Sequence, residues 1–249
     1  MMDENTRRYY LDAMGIQCWE SLDAPRSGES QGDVNAVESA VENAIESTVK
    51  NTVKNGSRQV AADYASVEES VLTCSQCMLH KNRKQAIVGR GNQAADLMFA
   101  VLSPTANDDD NNLLCSGETG ELLAKMLAAI NINIDDVYIT ALLKCSVPAN
   151  HTISPKEIQS CNAHLKQLLQ SVRPKLLVVL GETAARCLLQ KELSIDDSRA
   201  LNQSLSQRLD SVPLFFSYSP EELLQQPADK RKAWSDLQLL QKIIEKNYR

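Results

Sequence analysis

From residue 71 onward the chain alternates two kinds of apolar spacing. Short apolar runs fall at Asp96–Val101 (DLMFAV), Val137–Leu143, Lys175–Leu180 (KLLVVL) and Val212–Ser217. Runs of that length predict strands buried on both faces. Between and after them lie longer stretches whose apolar residues recur every three or four positions: Gly120–Ile130, Ser154–Val172, Gly181–Gln190 and Lys230–Lys246. That period predicts helices. The helix from Ser154 carries its own start signal, with Ser154 as N-cap, Pro155 at the first helical position and Glu157 three residues after the cap. Strands alternating with helices predict a parallel sheet covered on both faces.

Upstream the pattern changes twice. Residues 22–70 are rich in Ser, Glu, Asn, Gln and Gly and poor in aromatics, which disfavours an independent core and predicts a flexible acidic linker. Within it Val37, Val41, Ile45, Val49 and Val53 recur every fourth residue, enough for a transient amphipathic helix whose β-branched content weakens it. Residues 1–21 begin amphipathically, with Tyr10, Leu11, Met14 and Trp19 able to share a side around Gly15 and Ile16. Two readings stay open there: a helical tail packed on its own domain, or a docking peptide that buries its aromatic and aliphatic side chains in a partner's groove.

The net charge of −6 is uneven. Residues 22–70 hold nine Asp/Glu against four Lys/Arg, and residues 1–21 hold four against two, which leaves 71–249 near +1. A strongly basic face is the usual footprint of a nucleic-acid binder, so this balance gives no support for tight DNA binding. No stretch has the continuous apolar length of a membrane span, and MMDENTRRYY lacks the apolar run of a secretory signal. The expected location is the cytoplasm.

Seven cysteines in a reducing compartment suggest metal ligands rather than a disulfide framework. Cys74 and Cys77 form a C-x-x-C pair that can clamp one side of a metal centre, and Cys145 and Cys161 arrive singly from separate segments. Four thiolates suit a [4Fe–4S] cluster and also tetrahedral zinc. The cluster is favoured because zinc sites usually bring both halves as close pairs. Cys18, Cys115 and Cys187 are left as buried or incidental thiols. Asp108-Asp109-Asp110 predicts a solvated loop, and His80, His151 and His164 are scattered and receive no role.

The segment from Cys74 to Val101, CSQCMLHKNRKQAIVGRGNQAADLMFAV, resembles the opening of family 4 uracil-DNA glycosylases, where C-x-x-C-x-L-x-x-x-R, V-x-G-x-G and A-D-[LI]-M-F-V follow one another. Gly117-x-x-Gly120-x-Leu122-Leu123, Tyr138-Ile139-Thr140 before Lys144-Cys145, Glu157-Ile158 before Cys161, Arg173-Pro174-Lys175, Leu180-Gly181-x-x-Ala184 and Trp234-x-Asp236-Leu237 continue the likeness. The resemblance implies a three-layer α/β/α glycosylase-like domain over 71–249 with a short central parallel sheet. It also implies a [4Fe–4S] cluster on Cys74, Cys77, Cys145 and Cys161.

At the pocket positions the likeness fails. The family's G-E-x-P-G loop is Leu102-Ser103-Pro104-Thr105-Ala106 here, and its stacking aromatic falls near Leu113-Leu114-Cys115. Its base-reading Asn is Ala141, and its His before Pro is Ser219. A flipped-base enzyme needs hydrogen bonding, stacking and charge stabilisation together. Loss of all four elements implies a domain without catalytic residues of its own.

Residues 7–19, RRYYLDAMGIQCW, resemble the N-terminal peptide of the psi subunit of bacterial DNA polymerase III holoenzyme, in which R-R, an aromatic and L-x-x-[LM]-G-I-x-x-W recur. That resemblance implies a non-catalytic adaptor bridging the clamp loader and the chi subunit, with indirect association with single-stranded DNA-binding protein. Tyr10, Leu11, Met14, Gly15, Ile16 and Trp19 would be its anchors. Its rivals are an active uracil-DNA glycosylase with a reorganised pocket and a redox-responsive DNA-associated protein.

Overall fold

The computed structural model describes residues 63–247 together with Arg8. In chain order the main elements are α1 (63–72), β1 (Gly89–Gly91), β2 (Leu97–Val101), α2 (Ala106–Asn111), α3 (Glu118–Ala128), β3 (Tyr138–Ala141), α4 (Pro155–Val172), β4 (Leu176–Leu180), α5 (Glu182–Leu189), α6 (Ile195–Ala200), β5 (Arg208–Leu209), β6 (Val212–Ser217), α7 (Pro220–Gln225) and α8 (Lys230–Asn247). The strands form one sheet in the order β1-β3-β2-β4-β6-β5. The inner four are parallel, with Phe99 opposite Ile139 on one side and Val178 on the other.

The two edge strands are antiparallel, which the apolar pattern does not show. β5 has only two residues, and β1 reads Gly-Arg-Gly, too short and too polar for a strand signal. The glycines of β1 have a steric reason. A Cβ on Gly89 would stand 2.5 Å from the Ile139 carbonyl oxygen, and one on Gly91 would collide with the Val137 carbonyl. Both have positive φ, 151° and 106°, which side-chain-bearing residues rarely adopt.

Along β2 successive side chains enter opposite cores, as the two-residue period of a strand requires. Leu97, Phe99 and Val101 pack with Leu123 and Leu127 of α3 and with Leu237 and Leu240 of α8. Met98 and Ala100 pack with Leu165 and Leu168 of α4 and with Ala184 of α5. All five β2 residues are buried, so the continuous apolar run is the signature of a sheet covered on both faces. Each large side chain so buried contributes about 1.5–3 kcal/mol.

The folded unit begins before residue 71. Tyr64, Val67 and Val71 of α1 enter the second core, and the Tyr64 hydroxyl lies 2.8 Å from that of Tyr138. The two rings meet edge to face with centroids 6.0 Å apart. Composition averaged over the linker hides Tyr64 and Val67 among Asp63, Ser66, Glu68 and Glu69. Residues 63–70, placed in the linker by composition, therefore belong to the domain's packing.

Helix α4 starts as its sequence signal indicates. The Ser154 side chain accepts from Glu157 N, and a Glu157 carboxylate oxygen accepts from Ser154 N at 2.8 Å. The same reciprocal cap opens α2 with Thr105 and Asp108, α6 with Ser194 and Asp197, and α7 with Ser219 and Glu222. Among the described residues no helix is long and apolar enough to cross a membrane.

Candidate active site and thiol centre

β3 lies on one side of β2 and β4 on the other, so the strand order reverses between β2 and β4. In open α/β sheets ligands bind beyond the carboxyl ends of the strands at such a reversal. A cavity of about 280 Å³ lies there. Val101 at the end of β2 and Leu102 and Ser103 after it reach the cavity, Gly181 follows β4, Ser219 lies beyond β6, and the loop before α3 adds Cys115.

Three carboxylates line this cavity: Asp108, Glu221 and Glu222. Asp108 accepts from Thr105 N at 2.9 Å and from Ser116 N and Oγ at 2.6 and 2.7 Å, which ties the two ends of the α2 loop together. Glu222 accepts from Ser219 N at 2.9 Å and from Glu182 N at 2.8 Å, joining the first turns of α7 and α5. Glu221 is exposed in the first turn of α7, and its carboxylate makes no hydrogen bond or ion pair among the described residues, though its charge reaches the Cys115 thiol. Two carboxylates thus hold the walls, and one remains for a ligand or water.

Gly181 makes the Glu222 arrangement possible. Its φ is 102°, and a Cβ there would stand 3.2 Å from a Glu222 carboxylate oxygen and 3.3 Å from Ser219 Cβ. The Ser219 hydroxyl accepts from Glu222 N at 3.2 Å and keeps its own proton to donate. On the opposite wall Cys115 adopts a positive φ of 52°, and Arg90 donates to its carbonyl at 3.1 Å. A Cβ on Gly120 would collide with that same carbonyl, so the glycine lets α3 come up under the loop. Burial, with Asp108 adding, pushes the Cys115 thiol up to about 12, so it stays protonated at neutral pH.

The prediction of a solvated loop at Asp108-Asp109-Asp110 is corrected. Asp108 and Asp109 are buried, and Asp109 accepts from Lys84 N at 2.9 Å, Gln85 N at 3.2 Å and Ser146 Oγ at 3.0 Å. Only Asp110 is exposed, paired with Lys84. Adjacency in sequence conceals that a helix cap turns the first two inward. Ala141, at the position the resemblance gives to base reading, is fully buried in the core rather than lining the cavity. Ser103 and Ser219 do line it.

The cysteines gather around the β3–α4 connection. Cys145 and Cys161 are buried and pack with Leu79, Leu143 and the half-buried Cys77. Arg83 donates to the Cys145 sulfur at 2.8 Å and to the Cys74 carbonyl at 2.7 Å, bridging the C-x-x-C turn to the β3 end. Burial raises the Cys145 thiol, Arg83 opposes it, and the charges of Cys77 and Cys74 add to it. Burial pushes Cys161 up to about 11, opposed by a hydrogen bond from the Lys144 backbone. The four thiols are electrostatic neighbours, yet among the described residues no three His, Cys, Asp or Glu converge around a point that could hold one metal ion. N–H donors aimed at two of the sulfurs suit thiolate ligands.

Beside this centre Lys144 is fully buried, its ammonium donating to Val88 O at 3.2 Å, Thr140 Oγ1 at 2.6 Å and Ala141 O at 2.7 Å. Burial pushes its pKa down to about 7. His151 pairs with Glu157 at 2.9 Å, and His80 Nδ1 lies 2.5 Å from the Cys77 carbonyl. Tyr10, Leu11, Met14, Gly15, Ile16 and Trp19 lie outside the described residues.

A profile described as the Uracil DNA glycosylase superfamily matches residues 88–238, which contain the sheet and the cavity. The chain belongs to that superfamily. A Type-4 uracil-DNA glycosylase from Archaeoglobus fulgidus is 35% identical over 48% of this chain and 60% of the relative. One from Pyrobaculum aerophilum is 27% identical over 70% of this chain and 91% of the relative, and one from Saccharolobus solfataricus is 33% identical over 50% and 58%. Two of these three alignments thus span less than two thirds of the relative.

These matches overturn the psi-subunit reading. What the folded domain matches is a glycosylase superfamily, and the resemblance to psi rested on residues 7–19, which lie outside the matched segment and, Arg8 apart, outside the described residues. The clamp-loader, chi and single-stranded DNA-binding protein partners fall with it. The reading as a non-catalytic domain is overturned as well, because the relatives carry the name of an enzyme class. That reading equated four missing family residues with a missing pocket, whereas a cavity with its own polar groups occupies the strand-order reversal.

Proposed function

We propose that this chain is a DNA glycosylase that excises uracil, with the cavity beyond β2, β4 and β6 as its nucleobase pocket. The observation that carries this is the position of the cavity at the strand-order reversal, inside the segment shared with the superfamily. A base in duplex DNA must leave the stack before such a pocket can take it. Val101 and Leu102 offer it an apolar wall, and the hydroxyls of Ser103, Thr105 and Ser219 offer hydrogen bonds to its edge. As the glycosidic bond breaks, positive charge develops on the sugar and negative charge on the leaving base. The Glu221 carboxylate stabilises the sugar and orients the water that adds to it, while Ser219 donates toward the leaving base.

Cys74, Cys77, Cys145 and Cys161 would hold a [4Fe–4S] cluster. The donor set fits: four soft sulfurs, with Arg83 and the Lys144 backbone donating to two of them. Bound there, the cluster supplies a cross-link between the segment before β1, the end of β3 and α4. Reduced thiols and a DNA substrate support a cytoplasmic location.

The test is release of uracil from single- and double-stranded oligonucleotides by the full chain, compared with Glu221→Gln. The wild type excises uracil, and the variant loses about 100-fold in rate while keeping its melting temperature. A folded wild type that releases no uracil from either substrate removes this reading.

A further inference from the structure

We propose that His164 donates a ring N–H to a sulfur of the cluster held by Cys74, Cys77, Cys145 and Cys161, and so raises its reduction potential. This rests on the cluster reading above. His164 lies on α4 three residues after Cys161, and side chains at that spacing share a helix face. Only 5% of the residue is exposed. Neither Nδ1 nor Nε2 has a hydrogen-bond partner, and these are two of the four such buried side-chain atoms among the described residues.

A buried polar ring left in that state is destabilising unless an acceptor stands beside it. The neighbours indicate which acceptor. Arg83, whose charge reaches the imidazole, donates to the Cys145 sulfur, and Lys144, whose ammonium also reaches it, donates to the Cys161 sulfur through its backbone N–H. Gln167, one turn further along α4, approaches the ring without meeting it in hydrogen-bonding geometry. An imidazole carries at least one ring N–H to give, whichever nitrogen bears it. A sulfur ligand is the acceptor that this corner lacks in its protein atoms alone. Of the remaining orphan atoms, Arg90 Nε belongs to the side chain that donates to the Cys115 carbonyl at the cavity, and Ser171 Oγ sits near the far end of α4.

Hydrogen bonds to cluster sulfurs favour the more negative, reduced state and raise the potential. The experiment uses the full chain isolated without oxygen, as wild type, His164→Phe and His164→Gln, each with its iron content measured. Phe keeps the ring volume without the donor, and Gln restores a donor. At a fixed poise the reduced-to-oxidised ratio should fall about tenfold in the Phe variant, equivalent to about 59 mV for one electron, and largely recover in the Gln variant. Pulsed electron paramagnetic resonance of the reduced wild type, with isotopically labelled histidine, should also show a histidine nitrogen coupled to the cluster. Absence of that coupling, or an iron-loaded Phe variant with the wild-type potential, overturns the inference. A wild type without iron overturns the cluster reading itself, and this inference with it.

Discussion

Gly181 is the residue on which one wall of the cavity depends. Its backbone lies where an L side chain is strained, and its missing Cβ leaves room for Glu222 and Ser219. Gly181→Ala should lower stability by about 1–3 kcal/mol, seen as a drop in melting temperature, and should slow excision because the Glu222 bridge to Glu182 is displaced. An alanine variant that melts and cleaves like the wild type would show that the bridge is dispensable. The role of Glu222 is invisible in sequence because one of its partners, Glu182 N, is forty residues away. Asp108 is hidden for the same reason, since Ser116 meets it only after the loop has closed. The cysteines are the opposite case. A C-x-x-C pair and two single thiols are chemically rare enough to mark a centre before any fold is known.

At the scale of elements, the start of α4 combines a legible signal with a measurable pH dependence. Burial favours the neutral acid at Glu157, but hydrogen bonds from Ser154 and the contact with His151 outweigh it and hold its pKa below the ordinary carboxylate value. The folded state therefore binds this proton less readily than the unfolded chain. The cap's contribution, about 1 kcal/mol, is present above the unfolded pKa and lost as pH falls through the folded one. Urea denaturation across a series of acidic pH values should show that loss in the wild type and a flatter profile in Glu157→Gln. The four inner strands were legible because each is an apolar run with helical spacing after it. β1 and β5 were not, because Gly-Arg-Gly and a two-residue strand pair through backbone geometry that no apolar pattern encodes. The helix over 63–72 escaped because its three core positions sit in an acidic, polar neighbourhood.

At the scale of the whole molecule, the thiol centre ties together parts of the chain that the sheet does not join. Cys77→Ser should lower the folded yield, bleach the colour of the cluster and reduce the melting temperature, since metal binding free energy is folding free energy when the site forms only in the native state. An unchanged melting temperature after complete loss of iron would contradict a structural role. The domain's family was legible because many separate motifs recur in one order from Cys74 to Leu237. The adaptor reading failed because a single peptide of Arg, aromatic and aliphatic residues carries far less information than that series. It was then joined to an argument from missing side chains. A pocket is a shape bordered by whatever polar groups the loops deliver, so losing one set of residues does not empty it.

The hydroxyl contact between Tyr64 and Tyr138 spans 74 positions of sequence. A shortened expression fragment beginning at residue 71 would remove Tyr64 and Val67 and uncover the part of the second core around Tyr138. Such a fragment should precipitate or bind a hydrophobic dye, whereas one that starts upstream of residue 63 should remain dispersed.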